Sequence, residues 1–334
     1  MKKDLLFLIL GMFTFHGISV SAQENRKVLD INLSNYTYPF EVHYLDVESQ
    51  QKLLRMAYMD IHPAQHNGKT VMLLHGKNFN GAYWKTTIEA LTKEGYRVIV
   101  PDQIGFGKSS KPVGYNFTFQ QLAVNTKNVL DELQINKIYL LGHSMGGMLA
   151  TRFALMYPET VEKLVLENPI GLEDWKLVVP YTTIDENYKS ELKASYETAK
   201  KYQSEFYYDN QWKPEYDEWV YLLTGWVKDP NYTVVAMNNA QTSDMVFTQP
   251  VVYEFKYLTT PTLLIIGTRD RTAIGKNKVK DAAVREKMGL YQNLGKETRD
   301  RIPNSNLVEL DNVGHLPHIE AFDRFIVPFI EFLK

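Results

Sequence analysis

The sequence has no cysteine in its 334 residues. This absence excludes disulfides, a thiol nucleophile, iron–sulfur ligation and thiolate zinc sites, and it also excludes a lipid anchor attached to cysteine. Acidic and basic residues nearly balance, and the formal net charge is −2. Nucleic-acid binding needs a basic surface, so we expect no nucleic-acid partner. The chemistry of this chain must come from side chains other than thiols.

Long apolar runs are also scarce, and the one that stands out lies at the N-terminus. Lys2 and Lys3 precede an apolar stretch from Leu5 to Phe15, and small residues end the segment at Ala22. Residues 1–22 therefore have the order of a signal peptide, with cleavage near Ala22. The apolar stretch is shorter than the roughly 20 residues that a spanning helix needs. We expect export to the periplasm or the cell exterior, with no stable membrane anchor after cleavage; an uncleaved anchor is the alternative.

The remaining pattern predicts an α/β fold. Two half-polar segments at 40–47 and 53–61 suit edge strands of a sheet. Short apolar runs then alternate with amphipathic helical stretches, and this alternation is typical of a mostly parallel sheet with helices on both faces. The predicted core strands are 70–74, 97–100, 138–141, 161–166, 262–266 and 306–310.

The alternation stops between residues 168 and 250, where no convincing core strand occurs. We interpret this segment as a helical cap inserted after the sixth strand. The core is then formed by residues 23–167 and 251–334. One predicted helical stripe within the insertion contains Leu192, Tyr196, Ala199 and Tyr202.

The strongest motif is Gly142-His143-Ser144-Met145-Gly146, which fits G-x-S-x-G. It lies between a predicted buried strand and a helix, the context in which this motif exposes a nucleophilic serine on a tight turn. A Gly-rich turn with an incidental serine is the alternative. In this context we identify Ser144 as the candidate nucleophile.

A serine hydroxyl needs a base, and the base needs an orienting carboxylate. Asp270 follows the predicted strand 262–266, and His315 follows the strand 306–310. Both therefore lie at the carboxyl edge of the sheet, where Ser144 also lies. We predict a Ser144–His315–Asp270 triad and keep Asp174 as the alternative acid.

The tetrahedral intermediate needs two backbone donors for its oxyanion. We expect one donor to be the N–H of Met145, which follows the nucleophile. The other is expected from the loop after strand 70–74, through the N–H of Lys77. The Lys77 side chain either reaches solvent or meets an anionic part of the substrate, and Asn78 is a candidate pocket residue.

These residues together resemble the α/β-hydrolase fold superfamily, from about residue 40 to the C-terminus. The resemblance implies a serine-triad site and a cap, or lid, at 168–250. It also separates this chain from haloalkane dehalogenases and epoxide hydrolases of the same fold, which use an aspartate nucleophile. The motifs that carry the resemblance are His75-Gly76, D-x-x-G-x-G-x-S at 102–109, Gly142-His143-Ser144-Met145-Gly146, Asp270 and Gly314-His315.

The function predicted from these features is hydrolysis of carboxylic esters of small to medium, partly apolar substrates through an acyl-enzyme on Ser144. Carbon–carbon bond hydrolysis of a diketone-type acid, or amide or lactone hydrolysis, remains open with the same triad. A ligand-binding or signalling protein on this fold is the alternative from another class. The sequence implies no cofactor and no metal, and it leaves the oligomeric state open. We expect a mainly apolar pocket over Ser144, with candidate lining residues Trp175, Trp212, Trp219 and Trp226.

Overall fold

The structure, a computed structural model, describes residues 26–334. The predicted signal peptide, residues 1–22, lies outside the described residues. Among the described residues, no helix combines the length and the apolar character that crossing a bilayer demands. The strands are β1 Val42–Ser49, β2 Lys52–Ile61, β3 Thr70–Leu74, β4 Arg97–Pro101, β5 Ile138–His143, β6 Val161–Glu167, β7 Thr262–Gly267 and β8 Ser305–Leu310.

The eight strands form one sheet in the order β1-β2-β4-β3-β5-β6-β7-β8. The two N-terminal strands pair antiparallel, and β2 pairs antiparallel with β4. All other neighbours pair parallel. The predicted fold class, a mostly parallel sheet in an α/β domain, is confirmed.

The helices are α1 Lys85–Lys93, α2 Phe119–Glu132, α3 Met145–Met156, α4 Ile184–Glu191, α5 Tyr196–Tyr207, α6 Asp217–Thr224, α7 Tyr232–Thr248, α8 Ala282–Lys287, α9 Tyr291–Arg301, α10 Pro317–Glu320 and α11 Phe322–Leu333. Apolar side chains of α2, α3 and α9 pack on one face of the sheet. Those of α1 and α11 pack on the other face. Residues along β3 alternate between the two clusters, because successive strand side chains point to opposite faces.

Helices α4 to α7 lie between β6 and β7, and residues 168–250 contain no strand. The extent of the cap, 168–250, stays a prediction. The stripe from Leu192 to Tyr202 does not form one helix, because α4 ends at Glu191. Ser195, directly before α5, accepts a hydrogen bond from the N–H of Thr198, and the Thr198 hydroxyl accepts the Ser195 N–H. This capping box starts a separate helix at Tyr196.

The segment before β1 connects the core to the helices of the insertion. The Leu29 N–H donates to the carbonyl of Gly225, which follows α6, at 2.9 Å. The Tyr38 hydroxyl donates to Asp102, in the turn after β4, at 2.7 Å. Residues 29–38 therefore contact both parts of the molecule.

Candidate active site

Ser144 lies on the turn between β5 and α3, at φ 56° and ψ −121°. An L-residue rarely adopts this conformation, and such strain concentrates at functional sites. The turn directs the side chain to the carboxyl edge of the sheet, ahead of the first residue of α3. Ser144 as a whole is 6% exposed, so the nucleophile lies in a largely enclosed part of the molecule.

The glycine at position 146 of the motif permits the close packing that the turn needs. A Cβ there would collide with the carbonyl oxygen of Leu74, at the end of β3. Helix α3 consequently begins directly against β3 and β5. This contact explains why the sequence places a glycine two residues after the serine.

Three side chains form a continuous hydrogen-bond chain. The Ser144 hydroxyl donates to Nε2 of His315 at 3.0 Å. The Nδ1–H of His315 donates to Oδ2 of Asp270 at 2.6 Å. The side chains of His315 and Asp270 are fully buried. The structure thus brings together the three residues that the sequence nominated, in the geometry that serine activation requires.

Asp270 receives two further hydrogen bonds. The side-chain amide of Asn168 donates to Oδ2 at 2.8 Å, and the Thr272 N–H donates to Oδ1 at 2.8 Å. Burial alone would raise the pKa of Asp270. The charge interaction with His315 and the three hydrogen bonds outweigh burial and hold the pKa below its ordinary value. The carboxylate is therefore kept ionised beside the imidazole.

Asn168 and Thr272 were missed by the sequence analysis. Asn168 directly follows β6, and its position at the carboxyl edge of the sheet was the available signal. Its Oδ1 also accepts the Gly267 N–H at 2.8 Å. Asn168 therefore fixes the end of β7 and the Asp270 carboxylate at the same time.

His143 connects two loops of the site. The Tyr83 hydroxyl donates to Nδ1 of His143 at 3.0 Å and accepts the Gly76 N–H at 3.0 Å. The Nε2–H of His143 donates to the main-chain carbonyl of His315 at 2.8 Å. Burial lowers the pKa of His143 to about 3. The ring is therefore neutral, and each of its nitrogens has a partner.

The loop after β3 passes close to the nucleophile, since a Cβ at Gly76 would lie 3.1 Å from the Cβ of Ser144. The Phe79 N–H donates to the Gly76 carbonyl at 3.1 Å, which closes a tight turn around Lys77. Nδ1–H of His75 donates to the same carbonyl at 2.9 Å, because Nε2 accepts the Gln103 N–H. On the other side of the site, Met145 is the first residue of α3, where an N–H has no intrahelical acceptor.

Asp174, the alternative acid, lies away from the triad. Its carboxylate accepts hydrogen bonds from the Lys176 N–H and the Tyr253 hydroxyl. A different buried carboxylate, Glu167, accepts hydrogen bonds from the main-chain N–H and Nδ1 of His318. Burial raises the pKa of Glu167 to about 7. This second acid–histidine pair anchors the start of α10, just beyond the triad histidine.

A cavity of about 380 Å³ lies between the loop after β3 and the helices of the insertion. Its volume is in the range of small-molecule sites. Polar and apolar side chains both line it. Ser144 is not among the lining residues, so the mainly apolar pocket that we predicted over Ser144 stays a prediction. The polar lining residues are Asn78, Ser190, Glu191, Lys193, Thr198, Thr224 and Asn239.

The four candidate tryptophans lie outside this cavity. Trp226 lines a narrow gap that it shares with Lys77 and Asn78. The indole N–H groups of Trp175 and Trp212 donate to nearby carboxylates, and Trp219 meets the edge of an aromatic ring. Among the pocket candidates, Asn78 alone lines the cavity.

Lys77 is mostly buried beside this cavity, with its side chain 16% exposed. Its Nζ lies 3.9 Å from Oε1 of Glu191, beyond hydrogen-bond distance. The Asn239 amide donates to the other carboxylate oxygen of Glu191 at 3.2 Å. The Lys77 side chain therefore faces the insertion and not bulk solvent. Among residues 26–334, no group of three or more His, Asp or Glu side chains is placed to hold a metal ion.

Comparisons with known proteins agree with this architecture. Residues 69–322 match a family model described as the alpha/beta hydrolase fold. The chain is 48% identical to a probable hydrolytic enzyme from Pseudomonas aeruginosa PAO1. The TM-score for this pair is 0.90, and the match covers 92% of this chain and 99% of that one.

Curated relatives match over shorter stretches. The chain is 40% identical, over 126 residues, to the 2-hydroxy-6-oxononadienedioate/2-hydroxy-6-oxononatrienedioate hydrolase of Escherichia coli K12. That match covers 37% of this chain and 43% of that protein. A haloalkane dehalogenase of Mycobacterium marinum is 31% identical over 159 residues, which is 44% of this chain and 53% of that protein. The matches span about half the length of these relatives. The family match covers most of the chain, and the chain belongs to the α/β-hydrolase fold family.

Proposed function

We propose that this protein is a serine hydrolase that cleaves small and medium carboxylic esters through an acyl-enzyme on Ser144. The observation that carries the proposal is the continuous hydrogen-bond chain from the Ser144 hydroxyl through His315 to Asp270. The strained backbone at Ser144 and the free helix terminus behind it support the same role.

In the first half-reaction, the Ser144 oxygen attacks the carbonyl carbon of the ester, and its proton moves to Nε2 of His315. Asp270 stabilises the imidazolium that forms and holds its Nδ1–H in place. The N–H groups of Met145 and Lys77 bind the oxyanion. The imidazolium then protonates the leaving alcohol, and the acyl group stays on Ser144.

In the second half-reaction, water attacks the acyl carbon while His315 accepts its proton. The tetrahedral intermediate collapses, and His315 returns the proton to Ser144. Each proton moves between a reacting oxygen and the same ring nitrogen. These steps use groups of the protein and water alone, so the proposed reaction has no requirement for a cofactor.

Hydrolysis of a carbon–carbon bond is the second candidate. The observation that favours it is the 40% identity to the Escherichia coli protein named as a 2-hydroxy-6-oxononadienedioate hydrolase. The same triad serves this reaction, but the leaving group is a carbon that must receive a proton. The similarity to a haloalkane dehalogenase does not favour dehalogenation as the function, because position 144 is serine where that enzyme class uses aspartate.

The test is a kinetic comparison of the wild type with Ser144→Ala. The substrates are p-nitrophenyl esters of increasing chain length and a 2-hydroxy-6-oxo-dienoate, whose chromophore disappears on cleavage. We expect ester turnover in the wild type and none above background in Ser144→Ala. Ser305→Ala is the matched control, since Ser305 contacts only the end of α9 through its hydroxyl. Undiminished turnover by Ser144→Ala contradicts the proposal, and cleavage of the dienoate alone selects the second candidate.

A ligand-binding or signalling role is the alternative from another class, and slow or absent turnover with tight substrate binding would favour it.

Export of the protein is also a proposal. It rests on residues 1–22, and N-terminal sequencing of the protein from its native host tests it. A mature chain that begins near Gln23 supports cleavage after Ala22, and an intact Met1 in the exported fraction opposes it.

A further inference from the structure

Tyr207, the last residue of α5, touches the triad histidine in two ways. Its ring stacks on the imidazole of His315, with centroids 4.6 Å apart and planes inclined by 27°. Its main-chain carbonyl accepts the His315 N–H at 3.3 Å. Tyr207 is 4% exposed. The insertion therefore covers the face of the imidazole that the core leaves open.

The same residue contacts the opposite side of the site. Nδ2 of Asn78 donates a hydrogen bond to the Tyr207 hydroxyl at 3.0 Å. Asn78 and Lys77 are the two central residues of the same turn, and the Lys77 N–H is the proposed oxyanion donor. Tyr207 thus spans the distance between the proposed base and the proposed oxyanion hole.

Gly314, the residue before His315, leaves room for the Tyr207 carbonyl to approach the histidine loop. A Cβ at Gly314 would collide with the carbonyl oxygen of Tyr207. The Gly314 N–H donates to Oε2 of Glu320 at 2.8 Å, which fixes the loop from its other side. The histidine loop is therefore held between α10 of the core and α5 of the insertion.

We propose that Tyr207 is a positioning residue for catalysis, which sets the His315 ring and the Lys77–Asn78 turn at once, so that docking of α5 completes the active site. This inference rests on the proposed serine-hydrolase function. A ring stacked on the imidazole limits its rotation, and a fixed Asn78 limits movement of the turn that carries the Lys77 N–H. Small displacements of such groups reduce the rate of the chemical step more than substrate binding.

The alternative is that Tyr207 only packs the insertion together. Its neighbour Tyr208 provides the control, because it is equally buried but stacks on Tyr216 within the insertion, at 3.8 Å. The same substitution at positions 207 and 208 therefore perturbs packing of the insertion in both cases. Only the change at 207 removes a group that touches His315 and Asn78.

The experiment measures kcat and KM on the most active p-nitrophenyl ester, and the rate at which a fluorophosphonate labels Ser144. We expect Tyr207→Leu to lower kcat and the labelling rate by about tenfold or more, with KM changed by less than about threefold. Tyr207→Phe keeps the ring on His315 but lacks the hydroxyl that accepts from Asn78, so both rates should lie between those of Tyr207→Leu and the wild type. Tyr208→Leu should leave kcat and the labelling rate within about threefold of the wild type.

Two results would overturn the proposal: unchanged kcat in Tyr207→Leu, or an equal loss in Tyr208→Leu. If Tyr207→Leu fails to fold, the double-mutant cycle of Tyr207→Phe with Asn78→Ala decides. Non-additive losses in kcat support a hydroxyl that acts through Asn78, and additive losses contradict it. Activity retained in Ser144→Ala would instead remove the proposed function itself, so the two failures are distinguishable.

Discussion

The side-chain amide of Asn168 donates a hydrogen bond to the Asp270 carboxylate at 2.8 Å. Asn168 follows β6 and Asp270 follows β7, so this bond joins the ends of two neighbouring strands. The other end of the amide accepts the Gly267 N–H. Asn168 thereby sets the orientation of the acid that orients His315.

Replacing Asn168 by alanine is expected to lower kcat by about tenfold, because one charge-assisted hydrogen bond to the carboxylate is lost. KM should change little, since Asn168 is buried behind the triad. Asn125→Ala is the matched control: Asn125 is equally buried but bonds to Gln121 and Tyr115 and to no residue of the triad. A full kcat in Asn168→Ala would show that Thr272 and His315 alone position Asp270.

Asp270→Asn should reduce kcat by roughly 10³–10⁴-fold, because an amide favours the wrong tautomer of the histidine. Asp131→Asn, an exposed residue of α2, serves as the control. Near-normal ester turnover by Asp270→Asn would contradict the assignment of Asp270 as the orienting acid, and Glu167 would become the next carboxylate to replace.

His143 makes the stability of the protein depend on pH. Its pKa is about 3 in the folded protein, against 6.5 as its ordinary value. Between these values the unfolded chain binds a proton that the folded one does not. The free energy of unfolding therefore falls as the pH drops from about 6.5 toward 3.

The variant His143→Gln removes this titration. Urea denaturation between about pH 7 and pH 4 should show a shallower fall, by up to about 1.4 kcal/mol per pH unit. The exposed His66 gives the control His66→Gln, which should follow the wild type. The same slope in His143→Gln and the wild type would show that His143 is not a source of acid sensitivity.

Lys77→Met tests whether Lys77 acts through its main chain. The proposed oxyanion donor is the N–H, so kcat for a neutral ester should stay within about threefold of the wild type. Lys193→Met, which removes another ammonium group at the cavity, is the control. A kcat that falls by about a hundredfold in Lys77→Met alone would place the ammonium group in the chemical step.

A change confined to KM has a different meaning. It would show that the mostly buried ammonium of Lys77, 3.9 Å from Glu191, binds the substrate. Comparing a neutral ester with an ester that carries a carboxylate separates these cases, since only the second gains from a nearby cation.

The sheet was predictable from the sequence, and so were the positions of the nucleophile, base and acid. Parallel strands have their carboxyl ends at the same edge of the sheet, and all three residues follow such ends. Ser144 and Asp270 follow the strands β5 and β7, which are buried on both faces and therefore readable as apolar runs. His315 follows the partly exposed edge strand β8, and parallel pairing brings these strand ends together. No comparable periodicity marks Asn168, whose role depends on a contact with a residue far along the chain.

The roles of side chains in the insertion were less predictable, because they too depend on contacts between residues that are far apart in the sequence. Tyr207 and Trp212 are both aromatic, yet one stacks on His315 and the other bonds to Asp217 within the insertion. Aromatic composition alone does not distinguish a residue that contacts the triad from one that packs within the insertion. The direction of each side chain follows from how α4 to α7 pack, and local sequence does not encode that packing.

The most direct test of the central claim is to treat the wild type with a fluorophosphonate and locate the label by mass spectrometry. An activated serine forms a covalent phosphonate ester, whereas ordinary serines stay unmodified. We predict one label on Ser144, loss of ester turnover in proportion to labelling, and much slower labelling of His315→Gln. A label on another residue, or full ester turnover by a protein completely labelled at Ser144, would contradict the account.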